Sequence, residues 1–335
     1  VGITNENTGV KVTEPANFKK KLSSLVGGTR RSEVLSEMGS FCSLFALPGG
    51  YTEPVLASAI ECVGAKCDFL SNLGRIEGLG QDVVAAAVND LITSGAHPLF
   101  FLDYIATEEF DESVVENLVK SIATACREIG CSLVGGETAQ MPGVYAPGHF
   151  DLAGSVVGVV ERKKMLGAHK VRCGDQILGL PSSGLHSAGF HLVQAILGTN
   201  KKDEIEKINS TLDFNLIEEL VRPTRIYVKE MEKISSLSGV HAAANITCGG
   251  LSENIQRIIP RELSASIQTD AMPIPEIFTW LAERGKVEVE EMYKSFNMGV
   301  GFVVIASYSS VGDLIDEGFT LLGDVKSHSH LESSE

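Results

Sequence analysis

The chain is predicted to be an α/β protein of two domains, and three observations carry that expectation. Short β-branched and aromatic runs alternate with segments of helical period along its length, which excludes an all-α or all-β fold. With 335 residues, 44% of them hydrophobic, the chain can bury two ordinary cores. Its 34 glycines imply many tight connections rather than disorder.

Taken in order, residues 54–58, PVLAS, read as an apolar strand ending in a loop over 59–66. Over 82–91 the apolar positions Val83, Val84, Ala87, Val88 and Leu91 recur at helical spacing, which sets Asp82 and Asn89 about two turns apart on a neighbouring face. Residues 98–106, PLFFLDYIA, are a strand by their aromatic and β-branched content, and 112–129 have helical period. A buried strand at 131–134 runs into a glycine turn, GGETAQMPG, at 135–143, and another strand covers 151–161. The charged stretch Glu161-Arg162-Lys163-Lys164 marks the domain boundary, giving domains 1–165 and 166–335. Beyond it, a strand at 176–180 delivers the loop Ser182-Ser183-Gly184-Leu185-His186-Ser187, followed by an amphipathic helix from near Gly189. Residues 199–211 are polar and read as an exposed loop. A strand at 241–246, the turn Thr247-Cys248-Gly249-Gly250, a helix at 251–259 and a strand at 299–306 complete the pattern. The tail from Ser327 is polar, and its His328 and His330 read as solvated.

A formal charge of −15 argues against a nucleic-acid backbone or an anionic membrane as partner, since both would be repelled at long range. No apolar run reaches the roughly twenty residues that span a bilayer, and the first twenty residues are too polar for a signal peptide. Seven cysteines without a C-x-x-C pair or zinc spacing read as reduced, mostly buried thiols. The expectation is a soluble, cytoplasmic protein. It begins at Val1 without a methionine, which suggests a segment of a longer polypeptide.

Several constellations carry chemistry. A strand running into Gly135 and Gly136 and then Glu137 can offer backbone N–H groups to a phosphate beside an acid for its counter-cation. Asp82, Asn89, Asp90 and Glu137 together form an oxygen-rich set suited to magnesium, although Asp82 serves equally as a helix cap and Asp90 as a solvated acid. Lys66 is a candidate phosphate contact, and His186, in a hydroxyl-rich loop at a helix start, a candidate acid, base or phosphate donor. Thr224 and Arg225 either bind an anion or begin a helix after Pro223. Neither a Walker A pattern nor a G-x-G-x-x-G fingerprint is present.

Six motifs agree with one family in order and spacing: VNDL at 88–91, PLFFLDY at 98–104, CSLVGGET at 131–138, SSGLHS at 182–187, PTRIYVK at 223–229 and FNMGVG at 296–301. On them the chain resembles the phosphoribosylformylglycinamidine cyclo-ligases, or aminoimidazole ribonucleotide synthetases, over nearly its whole length. The resemblance implies an ATP-dependent, magnesium-dependent closure of the imidazole ring of formylglycinamidine ribonucleotide. It implies a homodimer, or a dimer with a sister copy, in which N-terminal strands of both chains form a barrel and an α/β layer packs alongside. In animals the family forms the middle of a trifunctional polypeptide, which would account for the missing methionine. Carried onto this chain, the resemblance places metal at Glu61, Asp90 and Glu137. It places nucleotide at Gly64, Lys66, Asp82, Asn89, Gly135, Gly136, Thr138 and Thr247, and catalysis at His186 and Lys66.

Departures from the family pattern concentrate in these loops. They are Glu61, Cys62 and Ala65 in the first loop, Gln140 after GGETA, Ala188 after the histidine, and Asn245 where a second histidine is usual. Gly9-Val10-Lys11 and Gly39-Ser40-Phe41-Cys42 depart as well. Two readings stay open: an active cyclo-ligase with an altered site, and a degenerate copy with a structural or regulatory role in a dimer.

Overall fold

The computed structural model describes residues 16–37 and 39–327, so Gly9-Val10-Lys11, His328 and His330 lie outside the described residues. The first half contains α1 (Ala16–Gly27), β1 (Pro54–Cys62), α2 (Ala65–Leu73), α3 (Leu79–Ile92), β2 (His97–Thr107), α4 (Glu112–Glu128), β3 (Ser132–Gln140) and β4 (Phe150–Glu161). Its four strands form a mixed sheet in the order β1-β4-β2-β3, antiparallel except for the β2–β3 pair. Along β4 burial alternates strictly from Phe150 to Gly158, so one face is packed and the other open. Helices α3 and α4 cover the packed face, with Val83, Leu118, Ile122 and Phe101 all buried. Asp111 caps α4 by accepting from the Ser113 and Val114 N–H groups. The open face carries Leu56 and Ile60, 63% and 72% exposed.

The second half runs β5 (Gln176–Pro181), α5 (Phe190–Leu197), α6 (Lys202–Asn209), α7 (Leu216–Val221), α8 (Val228–Ile234), β6 (Val240–Asn245), α9 (Gly250–Gln256) and β7 (Leu263–Ile267). It ends with α10 (Glu276–Gly285), α11 (Val289–Ser295), β8 (Val300–Ala306), α12 (Val311–Asp316) and β9 (Thr320–Ser327). The five strands form an antiparallel sheet in the order β6-β8-β5-β9-β7. Every residue of β8 is buried, because this strand is covered on both faces. One face joins the core shared with the first half; the other packs Val303 and Ile305 on Leu251 and Ile255 of α9.

The α/β class and most strand positions match expectation, with four corrections. The loop expected over 59–66 does not exist: β1 continues to Cys62 and α2 begins at Ala65. The glycine turn expected at 135–143 is strand β3 as far as Gln140, held parallel to β2. Glycine signals a turn only when nothing pairs the backbone, and β2 does. Residues 199–211 hold helix α6, whose single inward residue, Ile205, is too weak a pattern to show in a polar segment. Of the seven cysteines only Cys67, Cys126 and Cys131 are buried; Cys42, Cys62, Cys173 and Cys248 are exposed. No barrel closes within the described residues of one chain, since the first sheet ends at β1 and β3.

Candidate functional site at the seam between the two halves

Helix α3 lies along the seam, and its polar residues hold a strap of the second half, residues 222–227, as a partner strand would. The Lys66 ammonium, wholly buried, donates to the Arg222 carbonyl and to Asp82, each at 2.9 Å. Asp82 Oδ1 accepts from the Thr224 N–H at 2.8 Å, the Thr224 hydroxyl at 2.6 Å and the Ser187 hydroxyl at 3.2 Å. Gln81 donates to the Thr224 carbonyl at 2.9 Å. Two turns on, Asn89 donates to the Arg225 carbonyl at 2.8 Å and accepts from the Tyr227 N–H at 3.1 Å. A proline at 223 and an extended backbone prevent the strap from satisfying itself, so these side chains supply its partners.

Lys66, Asp82 and Asn89, expected at the nucleotide, therefore point into protein. Lys66 stands on α2 rather than in a phosphate loop, and its three donors face a carboxylate and a carbonyl. Thr224 and Arg225 are likewise engaged: Arg225 donates to the Pro181 carbonyl at 3.0 Å and pairs with Glu230 at 2.7 Å.

His186 is buried beneath the SSGLHS loop, where Nε2 accepts the Ser183 N–H at 3.1 Å. Burial, then the Lys66 and Arg225 charges, lower its pKa to about 3, so the ring is neutral. Its backbone has φ 60°, a left-handed conformation that side chains other than Asn, Asp and His rarely accept. The Tyr227 hydroxyl donates to the Pro181 carbonyl at 3.0 Å beside it. A Cβ on Gly301 would collide with both Tyr227 and His186, which is why β8 needs glycine there. With Nε2 taken by the Ser183 N–H, His186 organises the loop around it.

The acids divide into two places. Asp90, next to Asn89 on α3, meets Glu61 at the end of β1 and accepts from the Asn245 amide at 2.8 Å. Asn245 ends β6, so the residue that departs from the family histidine still donates to the site acid. Partial burial first, and then the Asp90 charge, hold the Glu61 carboxyl above its ordinary value, with Arg257 partly offsetting them. Two carboxylates this close call for a proton or a cation between them. Glu137 stands elsewhere. In register, Glu61 lies opposite Gly154, Gly154 opposite Asp103 and Asp103 opposite Gly136, so the two sheet edges are three strand spacings, about 14 Å, apart. Glu137 is exposed on the far edge, and no cluster of three metal-ligating side chains forms among the described residues. The expected trio of Glu61, Asp90 and Glu137 is thus a pair and a separate acid.

Gly135, Gly136 and Thr138 lie on edge strand β3, where alternate N–H groups face β2 and the remainder face outward. Gly64, at φ 66°, caps the start of α2, and Thr247 is half-buried, its carbonyl accepting from Asn254 and Gly250. Two groups escaped the sequence reading. Arg257 follows α9 with no motif around it. Asp103 sits inside the quoted PLFFLDY motif, and burial pushes its carboxyl up to about 7. A Cβ on Gly136 would collide with that carboxyl, so glycine in β3 makes room for Asp103.

Two family models match nearly end to end: AIR synthase related protein, N-terminal domain, over residues 45–160, and AIR synthase related protein, C-terminal domain, over 172–318. The chain belongs to the AIR synthase related family. It is 40% identical to a phosphoribosylformylglycinamidine cyclo-ligase of Trichlorobacter lovleyi, across 99% of this chain and 97% of that one. It is 44% identical to the protein of that name from Caldicellulosiruptor bescii, across 92% and 91%. In fold it is similar to thiamine-monophosphate kinase from Stenotrophomonas maltophilia, with TM-score 0.67, 18% identity and coverage of 92% and 93%. It is also similar to hydrogenase maturation protein HypE in complex with ATP, with TM-score 0.67, 17% identity and coverage of 96% and 89%.

Two outcomes test this seam. Asp82→Ala leaves the Lys66 ammonium buried without its counter-charge, and is expected to cost about 3–5 kcal/mol of stability in urea denaturation. His186 has a folded pKa below its unfolded value of about 6.5, so its contribution to stability is full above that pH and is lost as pH falls toward about 3. Below pH ~6.5 this amounts to about 1.4 kcal/mol per pH unit. His186→Asn, which tolerates the left-handed backbone, should flatten the acid limb by that slope when urea midpoints are compared across pH.

Proposed function

We propose that this chain is a cyclo-ligase that uses ATP to close the imidazole ring of formylglycinamidine ribonucleotide. The observation that carries the reading is 40–44% identity, over nearly complete chains, to proteins named phosphoribosylformylglycinamidine cyclo-ligase. In the reaction, the amide oxygen of the substrate takes the terminal phosphoryl group of ATP and becomes a leaving group. The substrate's own amidine nitrogen then attacks that carbon, the C–O bond breaks, and phosphate departs.

Each residue has a matching task. Glu61 and Asp90 suit a magnesium ion, which takes one or two protein carboxylates and completes its shell from phosphates and water. When bound there, magnesium would neutralise triphosphate charge. Outward N–H groups of β3 near Gly135 and Gly136 are the backbone donors available to phosphate oxygens. Glu137, remote from the pair, is left to contact another part of the ligand. Asp103, titrating near neutrality in the same row as Glu61, suits the proton that the attacking nitrogen sheds. A site closed to water would protect a phosphorylated amide that otherwise hydrolyses.

No observation favours a degenerate copy. Glu61 still reaches Asp90, and Asn245 still donates to it. The fold's nucleotide-bound relatives, HypE with ATP and a thiamine-monophosphate kinase with AMPPCP, support a nucleotide in this architecture. A cytoplasmic setting accords with seven free cysteines. The open face of the first sheet, with Leu56, Ile60 and Leu102 exposed and edges at β1 and β3, supports a homodimer that covers both.

The deciding assay follows phosphate release from ATP by the purified chain, with and without formylglycinamidine ribonucleotide. Substrate-dependent release that requires magnesium is expected; a folded protein that releases none overturns the proposal. Asp90→Asn should lower kcat by about 10²–10³-fold and abolish the difference between nucleotide affinities measured with and without magnesium. Charging the open face with Leu56→Glu and Ile60→Glu should halve the mass found by sedimentation. A single mass for both proteins would show that this face is not an interface.

A further inference from the structure

A cavity of about 870 Å³ opens where the start of β1 and the end of β4 meet α8, within the size range of small-molecule sites. It lies away from the acidic pair. Pro54 is opposite Glu161 at the cavity and Glu61 is opposite Gly154 at the pair, seven residues or about 23 Å along the strand. The nearest approach is along α3, where Ile92 lines the cavity two residues after Asp90.

Its walls have two characters. Ile92, Met231, Ile234 and Val240 give an apolar floor, and Tyr51 stands beside it. Lys163, Lys164 and Lys170 stand at the rim, the Lys170 ammonium donating to the Lys163 backbone carbonyl at 3.4 Å. The acids that share the lining are already engaged. Glu232 pairs with His97 Nδ1 at 2.9 Å, Glu53 with Arg162 at 3.5 Å, and Glu161 accepts from the Thr52 and Glu53 N–H groups. Among the described residues no carboxylate lies within 4.0 Å of the three lysine ammoniums. In a chain of net charge −15, a lining that sets three lysines against three glutamates, one of them paired with Arg162, is less anionic than the molecule as a whole.

We propose that this cavity binds a nucleoside phosphate, its base on the apolar floor and its phosphate at the lysine rim, independently of the acidic pair and of magnesium. The chemistry follows from the walls: a planar, largely apolar body alone leaves the lysines unmatched, and a bare anion leaves the floor wet.

Titration calorimetry with AMP, in EDTA to silence any magnesium-dependent site, tests this. Wild-type protein should bind one AMP per chain with a Kd below about 1 mM. Lys163→Glu, Lys164→Glu and Lys170→Glu combined should weaken binding by about tenfold or more, while Asp90→Asn leaves it unchanged. Should the triple variant melt early, the exposed pair Lys163→Glu and Lys164→Glu makes the same comparison. No heat up to about 5 mM AMP, equal affinity in the lysine variants, or loss of binding in Asp90→Asn overturns the proposal. Adenosine or inorganic phosphate binding as tightly as AMP does the same. None of these results depends on turnover, so the cyclo-ligase reading stands or falls separately.

Discussion

The buried ion pair between Lys66 and Asp82 sets the relation of the two halves of this molecule. A charge removed from water is tolerated only when opposite charge and hydrogen bonds replace what water supplied. Asp82 meets that condition by drawing on Lys66 from its own half and on Ser187 and Thr224 from the other. Because Lys66 also binds the Arg222 carbonyl, sliding one half along α3 would break several bonds at once. Such an arrangement specifies one register, which an apolar seam of the same size would not.

That register decides the chemistry at the other end of α3. Asp90 follows Asn89, and Asn89 is locked to the Arg225 and Tyr227 backbone. The helix therefore cannot rotate Asp90 away from Glu61 or from the Asn245 amide. In that fixed arrangement burial first, and then the Asp90 charge, raise the Glu61 pKa. A cation between the two carboxylates would offset that charge.

Kinases and maturation proteins at 17–18% identity share the framework, so the framework alone names no reaction. Upon that framework this chain places a neutral His186 inside the loop after β5, Tyr227 against Phe302, and glycine at 301 to admit both. Those residues shape the wall of the seam.

The sequence by itself determined the α/β class, the family and the strands that carry the motifs, because period, apolar run length and motif order are local properties. Tertiary structure alone decided which polar residues of those motifs are taken up by the protein's own backbone. Asp82, Asn89 and Asp90 look alike on a helix, yet two turn inward to a strap more than 130 residues away and one outward to Glu61. The glycines of 135–136 signal a turn until a parallel neighbour pairs them, and Glu61 and Glu137 belong together only until three strand spacings part them. Burial and pairing are set by what arrives from elsewhere in the chain, and no local pattern of residues records that arrival.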